Sequence, residues 1–196
     1  SHRVEREIEQ RRRARAVGLR DQEERERHLA RAVIGARLLA EVALGAEALR
    51  GSKALTPAKD TAITDWFREY LTWIRTHPYG VDESNAKNNH GTCWTLQAAC
   101  FARLVGDQAV LAECRRRLTE VHLPNQMAAD GSFPQEVART KPYGYSIFNL
   151  DVMTGLAMAL STPGDNLMTF ALPDGRSLVK GVAWLAPYLA DKNAWL

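Results

Sequence analysis

The chain has 196 residues, 45% of them hydrophobic and 25% charged. That is enough apolar surface to bury the core of one domain, so a wholly disordered chain is excluded. Lys and Arg number 26 against 23 Asp and Glu, a net charge of +3, which is too small for a dedicated nucleic-acid binder but compatible with an acidic polymer substrate.

Residues 1–28 alternate Arg and Glu, with opposite charges at helical spacing such as Glu9 with Arg13 and Glu23 with Arg27. They predict a solvated, charged helical arm, with a basic arm for nucleic acid as the lesser alternative. A second helix is expected over Leu29–Leu49, with Leu38, Val42 and Leu49 in its apolar stripe and Gly51-Ser52 ending it. The next begins at Thr56-Pro57, an N-cap followed by a proline at the first helical position. Its apolar face is Ile63, Trp66, Phe67, Tyr70, Leu71 and Ile74, read as core. His77-Pro78-Tyr79-Gly80 stops it, and residues 80–92 read as a polar loop.

Helical periodicity resumes with Trp94, Ala98, Phe101 and Val105 on one face, and Gly106-Asp107 breaks it. A further helix is expected over Gln108–Leu123, then a long irregular stretch through Gly144, of the kind that often carries function. Residues 146–160 and Leu178–Leu189 complete the helices. No period-2 strand and no nucleotide-binding glycine signature stands out. The pattern is all-α, a set of antiparallel helical hairpins joined by two long polar loops.

Several chemistries find no support. Cys93, Cys100 and Cys114 include no Cys-x-x-Cys pair, which argues against a disulfide framework or a zinc ribbon. Cys93 near His90 lacks the third group that would orient a thiol dyad. His28, His77 and His122 are scattered and read as surface or packing residues, so no metal site is expected. No apolar run approaches the roughly 18 residues of a membrane span, and the charged N-terminus shows no signal peptide.

Two polar clusters remain. Asn88, Asn89 and His90, followed by Gly91 and Thr92, can direct several hydrogen bonds toward one anionic point; equally, Asn88 or Asn89 can simply cap a helix, with His90 incidental. Arg139, Lys141, Tyr143 and Tyr145 form the second cluster, in which positive charge beside a phenol favours its anion and so a proton-accepting role. The alternative there is an Arg139 that pairs with Glu136 while the tyrosines pack on their neighbours.

Taken together, the two segments resemble a known family. Lys87–Asp107, KNNHGTCWTLQAACFARLVGD, is similar to the Asn-Asn-His-Gly segment of alginate-lyase-type polysaccharide lyases. Asp130–Met158, DGSFPQEVARTKPYGYSIFNLDVMTGLAM, resembles the second motif of that family, in which Glu and Arg precede a Tyr-Ser-x-Phe-Asn-Leu run. The similarity extends over roughly residues 30–190. It implies an (α/α) toroid of helical hairpins and β-elimination on a uronic-acid polysaccharide, with no cofactor and no metal. Asn89, His90, Arg139 and Tyr145 match the catalytic positions: the first three around the sugar carboxylate, Tyr145 as acid and, in syn elimination, also base. For the opposite stereochemistry, His90 is the candidate base. Asn88, Trp94, Gln97, Lys141 and Tyr143 are expected to contact substrate, and Glu136 to support them. An acidic polysaccharide partner and a periplasmic or secreted location follow from the same resemblance; nucleic acid and membrane partners do not.

This chain departs from the pattern in two respects. Cys93-Trp94 stands where two aromatics are usual. The family's catalytic domain is also longer, so residues 29–196 are expected to form an incomplete toroid behind the arm of residues 1–28. Six or seven helices are too few to close the ring, which leaves apolar helix faces that favour self-association. The rival expectation is a non-catalytic carbohydrate-binding or assembly protein on the same scaffold.

Overall fold

The computed structural model describes residues 35–195. The charged arm lies outside these residues, as does the start of the following helix.

Nine α-helices are found among the described residues: α1 Leu38–Leu49, α2 Pro57–Thr76, α3 Pro78–Asn85, α4 Asn89–Val105, α5 Gln108–Arg116, α6 Leu123–Gln126, α7 Pro134–Val137, α8 Pro142–Leu160 and α9 Leu178–Ala190. A π-helical turn, Arg117–His122, joins α5 to α6, and two short 3-10 turns follow α8 and α9. Pairing of the β type is confined, among the described residues, to isolated bridges Thr162–Asp165 and Ala171–Ser177. The architecture is all-α and toroid-like, as expected.

The centre is α4, which packs against α1, α2, α3, α5 and α8. Its side chains are therefore buried nearly all round rather than along one stripe. Phe101 and Leu104 lie in the core, and each such side chain stabilises by about 1.5–3 kcal/mol. The helix ends at Gly106, whose φ of 79° is left-handed and lets its N–H reach back to the Ala102 and Arg103 carbonyls. Asp107 then caps α5 by accepting from the Val110 N–H at 3.0 Å. One dipeptide thus closes one helix and opens the next.

The start of α2 also follows its sequence signals: Thr56 accepts from the Lys59 N–H and Pro57 is the first helical residue. Its buried face is Phe67, Leu71 and Ile74, whereas Trp66 is 49% exposed, so the predicted single apolar face is in fact two. Trp66, Tyr70, Trp73 and His77 instead stack in sequence along the outer side, ring on ring.

Two further expectations are corrected. The stripe on α1 faces out: Leu38, Val42 and Leu49 are 56%, 53% and 47% exposed, while Ala40, Ala43 and Ala46 form the buried seam. Alanine wins there because its small side chain lets the backbone of α1 approach α4 closely. Residues 80–92 are not a loop throughout. His77 accepts from the Tyr79 N–H and Pro78 is the first residue of α3, so the signal that stops α2 also starts a new helix. The turn at Arg117–His122 has a local cause as well. Pro124 has no N–H to give the carbonyl four residues back, and the chain widens so that the Leu123 N–H reaches the Leu118 carbonyl.

Candidate active site

The turn between α3 and α4 carries the first polar cluster. Asn88 is the N-cap of α4, and its side chain accepts from the His90 N–H at 3.1 Å. Gly91 follows because a Cβ there would lie 2.1 Å from the Ala86 carbonyl oxygen, so only glycine permits this tight corner. Asn88 therefore takes the capping role, which frees the two residues after it.

Asn89 is buried and grips a carboxylate from a distant segment. Its backbone N–H donates to one oxygen of Glu136 at 2.6 Å, and its side-chain amide donates to the other at 2.7 Å. Glu136 lies on α7 and is fully buried. A buried carboxylate needs compensation. Here the compensation is two short hydrogen bonds at the positive end of α4, plus the Arg139 guanidinium at 3.4 Å.

Arg139 lies one turn beyond Glu136 and is half-buried. Its guanidinium carbon sits 3.8 Å from the centre of the Tyr145 ring, a cation stacked on an aromatic face. Tyr145 is half-buried on the first turn of α8, where its N–H donates to the Lys141 carbonyl at 3.0 Å. Glu136 thus joins the two sequence motifs: Asn89 and His90 on one side, Arg139 and Tyr145 on the other. Both expected roles of Arg139, pairing with Glu136 and neighbouring a tyrosine, are realised at once.

His90 follows Asn89 and keeps 21% of its side chain exposed. Its Nδ1 lies 2.9 and 3.2 Å from the two oxygens of Glu83, a nearly buried carboxylate on α3. Glu83 was not among the residues expected from sequence, because residues 80–92 read as loop. The two residues lie on different helices joined by a tight corner, so helical spacing gave no signal for the pair.

Behind the turn lies a second buried network, also unexpected. Gln126 donates to His122 Nδ1 at 3.1 Å and to the Asn88 carbonyl at 3.3 Å. Its oxygen accepts from Thr92 at 3.0 Å and from Asn149 at 2.9 Å. All the hydrogen-bonding capacity of this amide is used. His122 in turn sits 2.7 Å from the Thr95 hydroxyl. Burial, with help from the nearby Arg117 charge, pushes His122 down to about 3, so it is neutral at pH 7. Arg117 donates to Thr95 at 3.2 Å and to the Ser84 carbonyl, and lies over the Trp94 ring at 4.9 Å. This lashes α3 to the π turn.

The remaining expected residues fall in different places. Trp94 and Gln97 are inside the core. The Trp94 indole donates to the Ile74 carbonyl at 3.0 Å; both side chains pack beneath the turn instead of facing solvent, so sugar stacking on Trp94 is not what this fold offers. Lys141 is exposed just before α8. The Tyr143 hydroxyl donates to the Tyr188 carbonyl at 3.4 Å and its ring meets Trp195 edge-on at 5.2 Å, which ties it to the end of α9. The three cysteines are buried, and burial pushes each thiol up to about 12. A groove of about 390 Å³ between α1, α4 and α8, lined by Leu44, Leu96, Gly155 and Met158, contains no member of either polar cluster.

A family model described as alginate lyase matches residues 8–195. The chain belongs to the alginate lyase family. Among solved structures, a crystal structure of an alginate lyase from Bacteroides ovatus superposes with a TM-score of 0.76 at 31% sequence identity. The match covers 83% of this chain and 43% of the Bacteroides protein, so the chain spans less than half the length of that relative. No curated protein matches the chain. Within the alginate lyase family, the Asn-Asn-His turn and the Arg…Tyr run of this chain are held together by one buried carboxylate.

Proposed function

We propose that this chain cleaves a uronic-acid polysaccharide, alginate or a related polyuronate, by β-elimination. The observation that supports the reading is the Glu136 clamp, which ties Asn89 to Arg139 and, through the Arg139 guanidinium, to the Tyr145 ring, with His90 next in the chain to Asn89. Family membership supports the same reading.

The chemistry follows from the difficulty of the reaction. The C5 proton of a uronate is weakly acidic because the adjacent carboxylate is already negative, and removing the proton adds a second charge. Donors fixed around that carboxylate favour the enolate-like transition state over the ground state. Arg139, partly exposed, supplies a permanent cation, while the buried Asn89, its amide on Glu136, holds that arrangement in place. Losing one such donor typically costs about 2.7–4 kcal/mol, or roughly 100- to 1,000-fold in rate. Tyr145 and His90 are the groups in the cluster able to move the C5 proton and to protonate the departing O4. Export to the periplasm or outside the cell, where such polymers are met, belongs to this proposal.

The test is direct. Purified protein mixed with alginate should generate the ultraviolet absorbance of a 4,5-unsaturated uronate, while a neutral glucan should give none. Absence of that absorbance with every polyuronate tried overturns the reading.

A further inference from the structure

Glu83 lies outside both polar clusters, yet both of its oxygens sit against His90 Nδ1. It is only 6% exposed, and no other hydrogen-bond donor is seen on it among the described residues. The position is built rather than incidental. α3 is capped by His77, tied by Arg117 to the π turn through the Ser84 carbonyl, and closed against α4 at the Gly91 corner.

An ionised carboxylate only accepts hydrogen bonds, so the ring nitrogen facing it carries the proton. A neutral His90 then has Nδ1–H toward Glu83 and an unprotonated Nε2. Such a ring cannot donate from Nε2 to a sugar carboxylate; it can only accept a proton there. The other charged or titratable groups around it are Glu136, which holds Asn89, with Arg139 and Tyr145 beyond, and Arg117 behind α3. None of these approaches Nδ1 within hydrogen-bonding distance.

We propose that Glu83 is the positioning residue that makes His90 the proton acceptor of the elimination, with Tyr145 the proton donor. The proposal rests on the lyase reading above. Nε2 of His90 takes the C5 proton, and the C5–H electron pair passes through the carboxylate enolate to form the C4=C5 double bond. The C4–O4 bond breaks, and O4 receives the hydroxyl proton of Tyr145. The products are an unsaturated uronate end and a free hydroxyl. The imidazolium and phenolate left behind are reset by proton exchange with water. Acceptor and donor sit on separate side chains, which suits a uronate whose C5 hydrogen and O4 leave from opposite faces. The guluronate configuration has that relation; its C5 epimer mannuronate does not.

Two measurements test it. Nitrogen-15 NMR of the histidine rings reads the tautomer without any turnover: His90 carries its proton on Nδ1 in the wild type and mainly on Nε2 in Glu83→Ala. A wild-type ring protonated on Nε2 overturns the proposal whether or not the chain is active. Kinetics supply the second. The kinetic substrate is guluronate-rich polymer. Glu83→Gln lowers kcat by roughly 100-fold, the low end of what positioned proton transfer contributes, with KM little changed. Glu83→Asp recovers part of the loss. A Glu83→Gln variant that matches wild type in kcat overturns the assignment while leaving the lyase reading intact. A wild type without lyase activity sinks that reading and, with it, the catalytic consequence of the Glu83–His90 pair.

Discussion

Glu136→Gln probes the clamp that joins the two motifs. The carboxylate now accepts from the Asn89 N–H at 2.6 Å, the Asn89 amide at 2.7 Å and Arg139 at 3.4 Å. A glutamine amide keeps the shape but offers one acceptor where there were two. Its NH₂ must then face one of the Asn89 donors, or the Arg139 guanidinium, in a site closed to water. A hydrogen bond to a charged group contributes about 1.5–3 kcal/mol, and a buried donor left unmatched costs about 1–3 kcal/mol. Removing the negative charge also leaves Arg139 uncompensated, although its partial exposure limits that contribution. The expected loss is therefore about 3–5 kcal/mol, a large share of a typical folding stability. For a chain of this size it corresponds to roughly 6–20 °C in melting temperature. Urea denaturation followed by circular dichroism measures the first quantity, and a thermal scan the second. Lyase activity should fall further than stability alone explains, because both motifs shift. A variant within about 0.5 kcal/mol of wild type, the usual effect of an inconsequential surface change, would refute the claim that this carboxylate organises the site.

Other expectations follow from the buried groups. Gln126→Met removes partners from Thr92, Asn149 and His122; at about 1–3 kcal/mol for each stranded group, less whatever Thr92 regains from a backbone carbonyl, denaturation should register a loss of about 3–6 kcal/mol. His122 is held near 3 when folded and returns to its ordinary value of 6.5 on unfolding. The unfolded chain therefore binds the extra proton, and the stability is present above pH 6.5 and lost as pH falls toward 3, at up to about 1.4 kcal/mol per pH unit. Urea titrations at pH 7 and pH 5 should differ by about 2 kcal/mol from this group, and His122→Gln should shrink the difference. Cys93, Cys100 and Cys114, buried with thiols pushed up to about 12, should resist a thiol reagent at pH 8 until denaturant is added; rapid labelling of the native protein would contradict their burial.

How far the sequence could be read depended on whether a signal was local. Thr56-Pro57 and Gly106-Asp107 act through the backbone within one turn, and the structure has the helix ends where these residues put them. Pro78 was read only as a stop, although a proline that ends one helix is also a good first residue for another; what starts α3 is the His77 cap and its docking on α4, neither of them legible from the hydropathy pattern. Glu83 was lost along with α3. On α1, hydropathy favoured the Leu38 and Val42 side, while close packing chose the alanines. Trp94 illustrates the same limit: a tryptophan beside a polar motif is equally consistent with a sugar platform or a core residue, and only the Ile74 carbonyl and the Arg117 guanidinium around it decide between them. The family motifs were legible because residue types and order survive without geometry. The joining of those motifs through Glu136 was not, since it spans 47 residues.

The central claim is that His90 and Tyr145 act on one sugar as a single unit, and a double-mutant cycle on kcat tests it most directly. Groups that cooperate in one step do not multiply their losses. His90→Ala and Tyr145→Phe should each abolish most of the formation of unsaturated uronate from alginate, and the double variant should be no slower than the worse single one. Losses that multiply, or substantial activity surviving both changes, would contradict it.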